Sequence, residues 1–180
     1  KENRRNFQRS MDKRGRKRMN KIKKWNNLFR NNTIREELER TNFKDIGELF
    51  YLLRRGFLTY PRDFLYELRN YLYRQLELTV ARNNTVILKN ILKDKDKIWY
   101  NDRDNNQLLQ PTVNSLLRQA IISESDNIKM YKILLENGAD PNQEYYGHSN
   151  LISFFLSENN HLENADKIVD MMKKYGARSH

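Results

Sequence analysis

The sequence predicts an all-α fold. Apolar residues recur at helical spacing through much of the chain, as at Met130, Tyr131, Ile133, Leu134 and Leu135. Glycine and proline are scarce, six and three among 180 residues, and β-branched residues do not gather into alternating runs. Several helix starts and stops are also visible, the clearest being Gly138 followed by Pro141. A hydrophobic fraction of 38% with 11% aromatics is enough for a core and excludes a wholly disordered chain. No apolar run approaches the length of a membrane span. The absence of cysteine excludes disulfides, thiolate chemistry and cysteine-ligated zinc.

In chain order, residues 1–30 read as an extended basic N-terminal arm. They carry 13 Lys and Arg against 2 Asp and Glu, whereas residues 31–180 carry 21 of each. The whole formal charge of +11 therefore sits in one sixth of the length. Within 1–24 the apolar residues are only Phe7, Met11, Met19 and Ile22, and Gly15 is expected to interrupt any long helix. Lys1 in place of a start methionine reads as a processed chain or a fragment. Trp25, Leu28 and Phe29 are the first residues able to anchor the arm.

Residues 31–76 read as an N-terminal helical segment. Thr33 with Glu36, and Asp45 with Glu48, fit capping boxes that open two helices. Ile46, Leu49, Phe50 and Leu53 form the buried stripe of the second, which Gly56 ends. Pro61 suits the first turn of a longer helix reaching Tyr73 or beyond, with Phe64, Leu65, Leu68, Tyr71 and Leu72 inside. The mixed-sign run over 93–106 reads as a solvated loop. Asn31-Asn32-Thr33 and Asn83-Asn84-Thr85 fit a glycosylation pattern but read better as loops or helix starts.

Residues 77–180 carry a family resemblance. The run from Tyr131 through Ile133, Leu134 and Leu135 to Gly138-Ala139-Asp140 and Asn142 resembles the second helix and turn of an ankyrin repeat. Lys167 to Ala177 repeats the pattern, with Gly176 lying 38 residues after Gly138. That exceeds the usual period of about 33 and fits an insertion over 157–164. Ser115 and Ser149 stand 34 residues apart where the family places Thr-Pro-Leu-His. Residues 77–92 look like a third, weaker copy. The resemblance implies a helical repeat stack whose finger loops and inner helices bind proteins. It points to the finger Tyr145, Tyr146 and His148.

Candidate chemistry centres on the arm. Arg4, Arg5, Arg9, Lys13, Arg14, Arg16, Lys17, Arg18, Lys21, Lys23 and Lys24 form a dense line of cations suited to phosphate neutralisation. The blander readings are an import signal, a membrane-surface patch or a solvated tail; a membrane helix would need apolar residues along one side. So polar a segment is expected to order only against a large anionic partner, with RNA preferred. Aromatic and Arg residues also interleave over 50–74. They read mainly as core with covering Arg stems, leaving Tyr66 and Tyr73 open to a partner.

Catalytic signals are weak. His148, His161 and His180 lack metal-ligand spacing, and Gly147-His148-Ser149 is no relay without geometry. No glycine-rich phosphate loop is present, and Asp94, Asp96, Asp102 and Asp104 do not fit a calcium loop. The expectation is a non-catalytic subunit with no cofactor, no metal, no small-molecule substrate and no membrane partner. Its arm grips RNA and its repeats contact proteins, as an accessory subunit of a ribosome would, mitochondrial or otherwise intracellular. The alternative is a viral or bacterial ankyrin adaptor that recruits a host protein.

Overall fold

A computed structural model describes the backbone of residues 2–99 and 103–178 and the side chains of residues 12–99 and 109–178. Among the described residues the chain is all-helical, with ten helices and no strand beyond one isolated bridge between Tyr145 and His148. It divides into two compact units, Lys1–Leu65 and Tyr66–His180.

In the first unit the expected extended arm is a helix. α1 runs without a break over Glu2–Arg30, and Gly15 does not interrupt it. The physical reason lies in the residues themselves. Arg, Lys and Gln lose little rotamer freedom in a helix, and one glycine costs only about 1 kcal/mol. The C-terminal end of α1 is also tied down. Trp25 is fully buried, and its Nε1 donates to Glu48 Oε1 at 3.0 Å. Phe29 packs edge-on against Phe64 with ring centroids 4.5 Å apart. The turn after α1 passes through Asn32 in the left-handed region, with Thr33 N donating to Leu28 O at 3.0 Å.

α2 (Ile34–Arg40) and α3 (Ile46–Arg54) follow. Ile46, Leu49, Phe50 and Leu53 are buried, as their spacing predicts, and Ile34 and Leu38 of α2 are buried with them. The capping boxes are not formed: neither the Thr33 nor the Asp45 side chain bonds its helix N-terminus. Asp45 instead accepts from Thr41 Oγ1 at 2.5 Å and lies 3.5 Å from Lys24 Nζ. A tertiary ion pair has displaced the local cap.

α4 (Phe64–Ala81) passes through the division between the units and through residue 76, where the sequence suggested a boundary. The second unit continues with α5 (Thr85–Lys93), the short α6 (Lys95–Ile98), α7 (Arg103–Ile122), α8 (Ile128–Glu136), α9 (Leu151–Asn159) and α10 (Ala165–Lys174). α8 packs against α5, α7 and α10, while α9 packs against α7 and α10. The run over 93–106 is not a loop throughout. Residues 95–98 form α6, and Ile98 and Trp99 are fully buried, Trp99 lying 5.5 Å from Tyr73. Two apolar residues outweigh the charged ones because their burial drives the turn inward.

The helix stops are as the sequence predicts. Gly138 and Gly176 adopt φ of +94° and +98°. Each is followed by the same closing bond: Ala139 N to Leu134 O at 3.1 Å, and Ala177 N to Met172 O at 3.0 Å. True side-chain caps come from asparagine. Asn84, Asn127 and Asn150 accept from Ile87 N, Lys129 N and Ser153 N at 3.2, 3.1 and 3.0 Å. Over the expected insertion at 157–164, α9 persists through Ser157 and Glu158 to Asn159, which is fully buried and donates to Ile121 O at 2.8 Å.

Polar contacts knit successive helix–turn–helix units together. Asn127 Nδ2 donates to Asn83 Oδ1 at 3.2 Å, and Asn164 N to Asp126 Oδ1 at 2.9 Å. At the other end Asn142 Nδ2 donates to Gly176 O at 2.9 Å, and Arg178 N to Asn142 Oδ1 at 2.8 Å. In the core between them, buried Tyr131 donates to Ser125 O at 2.8 Å and meets Phe155 edge-on at 6.0 Å. Burial holds its hydroxyl far above the ordinary tyrosine range, so it remains a donor.

Candidate nucleic-acid interface

A helix of 29 residues is roughly 43 Å long, and successive residues turn by about 100° around it. The described cations of α1 are therefore spread around its circumference. Arg16 and Lys23 share one flank, Lys13 and Lys17 another, and Arg14 and Arg18 a third. All six are exposed. None of them has a carboxylate within 4.0 Å among the described residues, so their charge is not spent inside the protein. Met19, half exposed at 51%, is too isolated to make an apolar stripe. This distribution presents charge in several directions at once and suits phosphates on more than one side better than a flat membrane surface.

The structure sorts the sequence-predicted cations into three groups. Arg4, Arg5 and Arg9 lie on the backbone of α1, but their side chains fall outside the described residues. Lys13, Arg14, Arg16, Lys17 and Lys23 point to solvent, joined by Arg18, whose guanidinium stands 5.8 Å from the Phe57 ring. Lys21 and Lys24 serve the fold. Lys21 lies 3.7 Å from Glu48, and Lys24 lies 3.5 Å from both Glu37 and Asp45 and 4.9 Å from the Trp25 ring. Glu37 is held below the usual carboxylate range, first by its hydrogen bond from Arg40 and further by the charge of Lys24. These two lysines help fasten the base of α1, while both side chains stay largely exposed.

The finger residues also separate. Tyr145 and His148 exchange backbone hydrogen bonds of 3.1 and 3.0 Å across a tight turn. Tyr146 and Gly147 occupy that turn with φ of +46° and +80°, the signature of a primed hairpin turn. The Tyr145 ring folds back to 4.7 Å from Phe154 and 5.5 Å from the Arg118 guanidinium. His148 lies 5.6 Å from Phe154, with Nδ1 3.1 Å from Ser153 Oγ. Tyr145 and His148 are thus half-buried covers of α9, while Tyr146 stands 85% exposed at the tip.

Of the two open tyrosines in the interleaved segment, Tyr66 is 72% exposed, and Tyr73 is half-buried against Trp99. His161 is exposed, His180 and Asp102 lie outside the described residues, and Asp104 lies on the backbone of α7 with its side chain outside them. Among the described residues no cluster of three His, Asp or Glu side chains converges. No helix is long and apolar enough to cross a membrane among the described residues.

Sequence reasoning missed one cluster. Lys89, Lys93, Lys129 and Lys132 line a single groove between α5 and α8. A neutral charge count over residues 31–180 concealed it. The signal was present as two lysine pairs, one at i,i+4 and one at i,i+3, on helices of the same pattern. Comparison with known proteins finds no matching family model, no matching curated protein and no matching solved structure.

Proposed function

We propose that this chain is a non-catalytic interaction subunit that holds RNA along α1 and contacts proteins through a divergent ankyrin-like stack. The observation that carries the RNA reading is the set of exposed α1 cations with no carboxylate partner among the described residues. Counterion release makes such a surface bind a polyanion without any base-specific geometry. The repeated Gly-Ala helix stops, the finger between α8 and α9, and the polar contacts between successive helix pairs support the repeat reading. Tyr146 at the finger tip is the residue most available to a protein partner.

The concrete form we favour is an accessory subunit of a ribosome, with the mitochondrion as the preferred compartment. Tagged protein recovered from cells is expected to sediment with ribosomal particles and to keep RNA through a moderate salt wash. Recovery of one stoichiometric protein without RNA would instead indicate an adaptor that recruits a single polypeptide.

A further inference from the structure

Residues 31–180 are neutral in sum, but their charge is not evenly spread. α5 buries Leu88, Ile91 and Leu92, and α8 buries Met130, Tyr131, Ile133 and Leu134. Lys89 and Lys93 are thereby turned outward on one helix, and Lys129 and Lys132 on the other. Because α5 and α8 pack side by side, the four ammonium groups border one groove of about 260 Å³. Its other lining residues are Ile133, Glu136 and Asn137.

The acids nearby offset only part of this charge. Glu136 lies 3.8 Å from Lys132 and accepts from Tyr175 Oη at 3.2 Å. Asp94, next to Lys93 in the chain, lies 3.6 Å from Lys97. Among the described residues no carboxylate approaches Lys89, Lys93 or Lys129 within 4.0 Å. Like charges at i,i+3 and i,i+4 weaken a helix, so packing alone gives no reason for this choice of residues. The groove lining has no aromatic ring on which a base could stack and no arginine fork for bidentate readout. Lysine point charges on flexible stems suit a phosphate backbone.

We infer that this groove is a second RNA contact, made to backbone phosphates and separate from α1. It rests on the RNA-binding reading above, and it shares the charge requirement without sharing any residue.

The test uses the full-length chain, a fluorescent RNA stem-loop, and affinity measured across a salt series. Lys89→Gln, Lys93→Gln and Lys129→Gln together are expected to lower the log–log salt slope by about 2 to 3. The corresponding Lys→Arg triple variant should keep the parental slope, and circular dichroism melts should show all forms folded. A glutamine variant with the parental slope, alongside an Arg14→Gln, Arg16→Gln, Lys17→Gln variant with a reduced one, overturns the inference and leaves the RNA reading standing. If the parent shows no salt-dependent RNA binding at all, both fall together. A polyglutamate peptide bound as tightly as the RNA through the same lysines would assign the groove to acidic polypeptides and overturn the proposal.

Discussion

Replacing Lys13, Arg14, Arg16, Lys17 and Lys23 together with glutamine is expected to reduce the salt dependence of RNA binding by about four log–log units. Each phosphate contact contributes about 0.7 to 0.9 to that slope, and five contacts are removed. The substitution should leave the fold intact. All five side chains are exposed and have no carboxylate partner among the described residues. Glutamine is close to lysine and arginine in helix propensity, so α1 should persist. Titration with labelled RNA at several salt concentrations measures the slope, and far-ultraviolet circular dichroism checks helix content. An unchanged slope with unchanged helicity would mean that these cations face no phosphate.

Trp25→Ala is expected to be the most damaging single substitution in the first unit, costing about 3–5 kcal/mol. The indole is fully buried, and its Nε1 donates to Glu48, which also receives the Lys21 ammonium at 3.7 Å. Removing the ring leaves a cavity at the base of α1 and takes the indole donor from that carboxylate. The consequence for RNA differs from that of the charge variant. The cations remain, so the salt slope should hold, while affinity falls because the helix is no longer pre-oriented. A melting curve and one salt series on the same sample separate the two effects. A variant with parental melting would show that α1 is not anchored through Trp25.

These two expectations come from features of unequal visibility in the sequence. Trp25 was readable as an anchor because, with Leu28 and Phe29, it makes the first close group of large apolar residues after a mostly polar run. The helical state of α1 was not. Composition there argues against a core, and among the described side chains before Trp25 none is buried. Helix propensity of long straight side chains and one anchored end decide its conformation instead. In the second unit the helix stops at Gly138 and Gly176 were readable because only a left-handed residue closes a helix in this way.

Other features depended on tertiary contacts that no local pattern reveals. Thr33 and Asp45 have the spacing of caps, yet Asp45 is claimed by Thr41 and Lys24. Trp99 lies beside a run of alternating charges and is nevertheless fully buried against Tyr73. The finger divides by packing rather than by residue type. Tyr145 lies over Phe154, while its neighbour Tyr146 faces solvent. The lysine groove required knowing that α5 and α8 are neighbours, since its two halves are 40 residues apart.

The most direct test is ultraviolet crosslinking of the intact protein to its cellular RNA, with the crosslinked peptides identified by mass spectrometry. Crosslinks concentrated over residues 13–23 are the predicted result. An RNA-free preparation, or crosslinks confined to residues outside α1, would contradict the claim that this helix is the principal RNA grip.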